Sequence, residues 1–506
     1  MLSRRASAKQ GPDAPRRRPA MSDTAPEAPP RNPGLPAPVV ALLYLLVCVL
    51  PLILAALRVT SPTVAWELAA AGAGLAGLAA MAVQFVTSGR FQIVSGRLGI
   101  DHVMAFHKTA AWWVLLAPIL HPVAYVVPTL QADPALAQER MMAYLTLPHY
   151  RSGVIALAAL VLLVMTSVLR LRLGLRYETW RAAHLVLAAL AVGAGLHHAV
   201  TVGRFSAAGM VEGYWWAIGV AVAAVLATLY GLRWARLYAR PWRLASVVRR
   251  ADRMWELDIQ PAPGTPALPY EAGQFVWMTE GRRRAPLFDH PFSIADSPLR
   301  PGLSLIVKEA GDFTDTIGSL APGTPIGLDG PYGTFTMAGQ GDRAVLLIGG
   351  GVGIAPILGL LRDLAERGHP HPVRLAYAAG RPENFACLDD IAAAEGALDL
   401  RSFLVCETPG DGWQGETGIL DRARLARMLD GLDPDRTTAM ICGPGPMVTA
   451  VADTLIDLGL PMDRVRYERF DYAEGASRLD RRLRRRFLAL GGVLALALAG
   501  FVLALA

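Results

Sequence analysis

Six charge-poor apolar segments follow one another in the first half of the chain, near residues 39–57, 63–86, 107–130, 153–169, 182–203 and 213–232. Each is close to the ~20 residues that a helix needs to cross the hydrocarbon of a bilayer. With 53% hydrophobic and only 18% charged residues over 506, the composition excludes an ordinary soluble protein, and the length exceeds one domain. Basic residues then set the topology. Arg90, Arg97 and Lys108, then Arg170, Arg172, Arg176 and Arg181, then Arg233, Arg236, Arg240 and Arg243 fall on one side. The alternate connections carry chiefly Arg58, Arg140, Arg151 and Arg204. The bias predicts that the N-terminus and the segment after the sixth helix face the cytoplasm.

Residues 1–38 are rich in Pro, Arg, Ala and Ser and read as a disordered tail in which Met21 is an alternative start. Residues 39–242 form the six-helix membrane block. From 243 to 475 the composition is that of a soluble α/β and β region with Gly/Pro turns and charged helices. A basic linker, 476–486, precedes a charge-free run from Phe487 to Ala506, which reads as a seventh crossing ending outside, with an interfacial tail as the alternative. The net charge of +7 thus reflects topology. No basic stripe interleaved with aromatics points to nucleic acid. Cys48, Cys387, Cys406 and Cys442 lack paired spacing, which argues against a disulfide framework, structural zinc or a cysteine-ligated cluster.

Ionisable side chains inside a span are costly and usually functional. His107 and His121, fourteen apart on the third helix, lie about 40° apart in azimuth and roughly 21 Å along the axis. The face between them carries Ala110, Ala111, Val114 and Pro118, small enough to leave room for a flat macrocycle. The fifth helix supplies His184 and then His197 and His198. Two histidines on each of two helices could hold two haems, one above the other, through imidazole ligands; the alternative for any one of them is a satisfied core histidine. Regular helix geometry favours His198, fourteen from His184, whereas thirteen residues turn His197 about 140° away.

The soluble half carries a series of short motifs. Tyr270 to Phe275 is followed by His290, Pro291, Phe292 and Ser293, then by Lys308 through Gly311, Phe313 and Thr314, then by Gly330 and Tyr332. In this order they resemble the FAD-binding barrel of the ferredoxin-NADP reductase superfamily. The resemblance implies that Phe292 packs on the isoalloxazine, Ser293 bonds near its reactive nitrogen, and Lys308 with nearby backbone meets the pyrophosphate. Next, the apolar run Ala344 to Ile348 enters a turn with Gly349, Gly350, Gly351 and Gly353 before Pro356 and a helical pattern, a phosphate-approaching arrangement. Cys442, Gly443 and Pro444 follow a later strand, and Glu468 to Phe470 follow the last. In that superfamily the cysteine turn lies beside the nicotinamide and the late aromatic covers the flavin, which assigns Ser293, Cys442 and Phe470 to the hydride-transfer site, with Tyr472 as the fallback for Phe470. Arg381 is a candidate for gripping a ribose 2′-phosphate, or else a solvated arginine; NADPH is preferred over NADH on that basis.

Taken together, the histidine pairs and the flavin and nicotinamide motifs resemble a bacterial form of the NADPH oxidase and ferric reductase superfamily, over about Val39 to Tyr472. The segments Phe106 to Trp112 and Glu178 to His184 look like its haem helices, and the second ligands fall on His121 and His197. The fold implied is a membrane α-helical bundle, an antiparallel FAD barrel at 243–340 and a Rossmann-like nucleotide domain at 341–475. The activity implied is electron flow from NAD(P)H to FAD, to an inner and an outer b-type haem, and to oxygen, ferric iron or a periplasmic redox partner outside a bacterial cytoplasmic membrane. Alternatives are a haem-binding membrane sensor and a flavin reductase merely anchored by its helices. Three departures bear on the acceptor and the flavin. Tyr125 stands where oxygen-reducing members carry a further histidine, although Arg58 resembles their outer arginine. Leu190 replaces an aromatic between the haems. A continuing chain leaves Phe470 tethered.

Overall fold

A computed structural model describes residues 34–60, 63–88, 90–281, 285–340, 343–469 and 477–506. Its membrane block comprises α1 (Ala37–Ala56), α2 (Ala65–Val83), α3 (Gln92–Leu98), α4 (Ile100–Ala132), α5 (Pro134–Thr146), α6 (Arg151–Val168), α7 (Tyr177–Thr201), α8 (Gly209–Leu226) and α9 (Arg233–Ala239). One π-helical segment, Ala227–Leu232, joins α8 to α9, so the sixth span runs on to Ala239. The short α3 and α5 are elements that the six apolar segments did not announce. Pro118, Pro122 and Pro128 lie inside α4, which a membrane helix tolerates because its neighbours re-satisfy the freed backbone groups.

At the centre is α2, whose small residues let other helices approach closely. A Cβ on Gly77 would sit 2.9 Å from Ala117 on α4. The apolar core links α1, α2, α4, α6, α7 and α8 through residues such as Leu52, Leu68, Val114, Leu160, Val192 and Trp215.

The soluble half starts with β1 (Trp242–Ala251), β2 (Met254–Pro261), β3 (Phe275–Glu280), β4 (His290–Ser293), β5 (Leu303–Lys308) and β6 (Pro325–Tyr332). They form an antiparallel sheet in the order β4-β3-β6-β1-β2-β5, and a bridge between Ile294 and Leu305 brings its two edges together. The nucleotide domain follows, with β7 (Ala344–Gly350), α10 (Ile354–Glu366), β8 (Val373–Ala379), α11 (Leu388–Glu395), β9 (Leu400–Cys406), β10 (Glu416–Thr417), α12 (Arg422–Leu429), β11 (Thr437–Gly443), α13 (Gly445–Asp457) and β12 (Val465–Arg469). Its strands are parallel in the order β10-β9-β8-β7-β11-β12. The order reverses beside β7, and ligands of such sheets bind outside the strand carboxyl ends at that switch point. Arg362 of α10 fastens the two soluble domains, donating to Glu256 at 3.0 Å, Ala295 O at 2.6 Å and Ser304 at 3.1 Å while almost fully buried.

The last helix, α14 (Arg478–Leu505), changes one expectation. Residues 478–486, read from composition as linker, are its first turns. Ser477 and Asp480 form a capping box, Ser477 Oγ accepting from the Asp480 N–H and the Asp480 carboxylate from the Ser477 N–H. The arginines that follow are good helix formers. Phe487 packs edge-on against Phe106 at 5.3 Å, and Phe501 is buried in the bundle core, so α14 is a seventh member of the bundle. Among the described residues, seven helices are long and apolar enough to cross a membrane.

Candidate functional site

Two histidine pairs face each other between α4 and α7. The ring centres of His107 and His184 are 6.4 Å apart, and those of His121 and His198 are also 6.4 Å apart. An iron shared by two imidazoles, each nitrogen about 2 Å from the metal and each ring centre about 1.2 Å beyond its nitrogen, holds the ring centres about 6.4 Å apart. The pairs therefore fit bis-imidazole ligation of two irons. They are fourteen residues apart on both helices, which at 1.5 Å per residue is about 21 Å.

The expected His197 is not part of this arrangement. It is exposed on α7, whereas His198 turns inward. Regular helix spacing accounts for this placement, since fourteen residues nearly complete four turns and thirteen do not.

Neighbouring polar groups fix the ring faces. His121 Nδ1 donates to the Ala70 carbonyl at 2.7 Å, which leaves its Nε2 as the atom able to ligate. Ser167 Oγ is 3.1 Å from His184 Nδ1, and Thr87 Oγ1 is 3.5 Å from His107 Nδ1. His198 Nδ1 has no hydrogen-bond partner among the described residues. Glycines make room for two of the rings: a Cβ on Gly74 would lie 2.6 Å from His121 Nδ1, and one on Gly153 would lie 2.9 Å from His198 Nδ1. At the end of the bundle away from the β-sheet domains, Tyr125 stands edge-on to His121 at 5.4 Å, and Arg58 donates to the Ala208 carbonyl. Leu190 is 46% exposed, on the outside of α7.

The soluble half opens a cleft lined by Pro291, Phe292, Ser293, Lys308, Val352, Ala355, Glu468 and Arg469, and closed on the membrane side by Ile100 and Asp101 of α4. His290 stacks on Phe313 at 4.1 Å with planes 8° apart, and Phe292 lies beyond at 6.2 Å from the same ring. Thr314 Oγ1 accepts from the Ala310 N–H and donates to the Gly311 carbonyl, closing the turn after β5. Tyr332 donates to Asp329 at 3.0 Å and packs on Phe275, below the floor of the cleft, so Tyr332 and Gly330 shape it from behind.

At the sheet's switch point, Cys442 is paired in register with Gly349. The two glycine turns touch: a Cβ on Gly353 would lie 2.3 Å from the Cys442 carbonyl, and one on Gly443 would lie 3.2 Å from Gly350. Gly351 takes a positive φ of 54°. Part of the glycine motif thus serves the contact between turns, and part shapes the loop. Pro356 is buried in the first turn of α10, away from the cleft. Arg381, just beyond the carboxyl end of β8, is exposed beside Glu383 at 3.8 Å. Phe470 and Tyr472 lie outside the described residues.

Burial pushes the Cys442 thiol well above its ordinary range, so it sits in the site as a neutral S–H. Burial also raises the Glu468 carboxyl, and neighbouring Asp101 adds to this. Asp101 and Glu468 were not singled out as site residues from the sequence. Glu468 stood inside a quoted motif, but nothing local to Asp101 indicates that a membrane helix caps this cleft. A further cluster was missed as well. Asp289, next to His290, accepts from Arg90 through both oxygens at 2.8 Å and from Arg181. Burial works to raise its carboxyl, but the two guanidiniums outweigh that and hold it below the usual carboxylate range.

Three family models match the chain in sequence order. Residues 73–195 match a ferric reductase like transmembrane component, 242–336 an FAD-binding domain and 347–453 an oxidoreductase NAD-binding domain. Among curated proteins, the reductase component of propane 2-monooxygenase from Gordonia sp. (strain TY-5) is 33% identical over 214 residues, covering 40% of this chain and 59% of that protein. A flavohemoprotein from Halalkalibacterium halodurans is 27% identical over 231 residues, covering 42% and 55%. The chain spans little more than half the length of the curated relatives it matches. Among solved structures, a Neisseria gonorrhoeae ferredoxin NADP+ reductase with bound FAD and NADP aligns with a TM-score of 0.40 and 21% identity, over 45% of this chain and 97% of that one. A Malassezia yamatoensis flavohemoglobin with bound FAD and haem aligns with a TM-score of 0.44 and 17% identity, over 74% and 100%.

Proposed function

We propose that this membrane oxidoreductase, which joins a ferric-reductase-like transmembrane component to an FAD- and NAD-binding reductase module as ferric reductase and NADPH oxidase fusions do, carries electrons from NAD(P)H across the membrane to an acceptor on the far side. The observation that carries the reading is the pair of facing histidine couples, each with the ring spacing of a shared iron, on two helices above the flavin cleft. FAD bound in the cleft would supply the conversion of a two-electron hydride into single electrons; His107 with His184 and His121 with His198 would hold two b-type haems, which would supply one-electron stations across the hydrocarbon.

The remaining work belongs to the chain's own side chains. Phe292 and Ser293 line the cleft, and the serine hydroxyl would hydrogen-bond a ring edge of a flavin bound there. Lys308 supplies a cation for a phosphate. The turns at Gly349 to Gly353 and at Cys442 to Pro444 bring backbone N–H groups to the carboxyl ends of β7 and β11 for the nicotinamide nucleotide. Burial raises the Cys442 thiol, and burial with neighbouring Asp101 raises the Glu468 carboxyl, above their ordinary ranges near that position. The basic inner loops orient the module to the cytoplasm of a bacterial inner membrane.

Replacing His107 and His184 with alanine tests the route. NADPH oxidation with a soluble flavin acceptor should persist while reduction of an outside acceptor is lost; unchanged outside reduction in a folded, FAD-loaded variant would exclude it. Oriented vesicles then separate acceptors. Superoxide that accounts for the electrons consumed identifies oxygen, and oxygen-insensitive reduction of a ferric chelate identifies iron.

A further inference from the structure

We infer that Asp289 is a positioning residue that locks the flavin barrel onto the inner histidine pair, and so decides whether electrons leaving the flavin enter the membrane or are lost to soluble acceptors. The inference rests on the electron path proposed above.

Asp289 is about 1% exposed and Arg90 about 8%. Arg90, between α2 and α3, grips both carboxylate oxygens at 2.8 Å, and its guanidinium lies 3.5 Å over the ring of Trp277 in β3. Arg181 of α7 donates to the same carboxylate and, at 3.1 Å, to the Asp289 carbonyl. One buried carboxylate of the barrel is thus held by arginines from two separate parts of the membrane block. Neighbouring contacts repeat the pattern. Arg233 pairs with Asp329 at 3.3 Å, and Gln92 donates to the Pro331 carbonyl at 2.6 Å.

General adhesion between domains does not explain where these contacts fall. On the barrel side, Asp289 directly precedes His290, and Asp329 directly precedes Gly330, so both carboxylates sit at the ends of flavin-site segments. On the membrane side, Arg181 is three residues before His184, one helical turn away. Arg90 is three residues after Thr87, whose hydroxyl meets His107 Nδ1. The latch therefore joins the flavin motif to His184 through a single helical turn of α7, and Arg90 brings it within three positions in sequence of Thr87, which neighbours His107. Buried charges of this kind hold one geometry because removing one partner strands the other without water.

Asp289→Asn removes the charge and keeps the shape. In purified full-length protein we expect unchanged haem content, unchanged dithionite-reduced spectra and NADPH–ferricyanide turnover within twofold of wild type. NADPH-driven haem reduction should slow tenfold or more, and amide hydrogen exchange across residues 285–293 should rise. Asp289→Glu should restore most of the haem-reduction rate. Arg181→Gln, which leaves the Arg90 pair in place, should slow haem reduction several-fold and serves if Asp289→Asn does not fold. Haem reduction at the wild-type rate in a folded Asp289→Asn or Arg181→Gln protein would overturn the inference, as would ferricyanide turnover falling in step with haem reduction. Wild-type protein whose haem NADPH does not reduce would remove the electron path itself, a separate result read before any variant.

Discussion

His198 faces His121 with ring centres 6.4 Å apart and planes at 89°, while His197, one residue earlier on α7, is exposed. Loss of the inward ring should therefore cost a haem and loss of the outward one should not. His198→Ala is expected to halve haem content, as measured by pyridine haemochrome against protein. His197→Ala should leave it unchanged, and the opposite pattern would reassign the outer ligand.

Space beside the outer pair is as constrained as the ligands. Gly153→Ala would bring a methyl to 2.9 Å from the His198 ring, and Gly74→Ala would bring one to 2.6 Å from the His121 ring. Both helices are packed, so the ring must turn. Each variant should shift or lose the outer haem's low-spin signature in electron paramagnetic resonance and spare the inner one. Gly193→Ala, where a Cβ meets nothing within 4 Å, is the control.

The capping box at Ser477 makes a stability prediction. Ser477 is fully buried, and its partner Asp480 also accepts from Tyr467 at 2.8 Å and pairs with Arg469 at 2.8 Å, tying α14 to the end of β12. Ser477→Ala should lower stability by about 1 kcal/mol, typical of a lost helix cap. Thermal unfolding in detergent checks this; an unchanged midpoint would mean that the cap is redundant with the Arg469 pair.

Two buried carboxyls predict opposite pH dependences. The folded-state pKa of Asp289 is depressed, so its contribution is present above the ordinary value of about 4 and is lost as pH falls through the lower folded value. That of Glu468 is raised, so its contribution is complete below about pH 4.3 and is lost as pH rises through the folded value. Relative to wild type, Asp289→Asn should therefore be most destabilised near neutrality and least in acid. Glu468→Gln should gain relative stability as pH rises. Parallel melting curves from about pH 2 to pH 8 read both signs, the Asp289 dependence below about pH 4 and the Glu468 dependence above it, and a flat Asp289 difference in acid would contradict the assignment.

The parts of this architecture that depend on local pattern were legible in the sequence. Apolar length marked the spans, and motif order marked the barrel and the nucleotide domain. Fourteen-residue spacing already favoured His198 while the resemblance to a family pointed one residue away, and it is His198 whose ring faces His121. The run 478–486 was misjudged because six arginines suggested a solvated linker, although Ser477 and Asp480 stand three apart as a helix start. Pro356 was included because it sits within a motif, but it is buried in the first turn of α10. The Asp289 latch had no signal at all. Arg90 is 199 residues away, and no periodicity pairs residues that only the docking of two domains brings together.

The central claim is that hydride taken by the cytoplasmic flavin ends as electrons on two histidine-ligated haems. Anaerobic addition of NADPH to the purified, full-length protein tests it most directly, with the flavin and haem bands followed together. The account predicts two low-spin haems per chain, both reduced after the flavin and without any added mediator. Bleaching of the flavin with haem bands that stay oxidised, in protein that dithionite reduces fully, would contradict it.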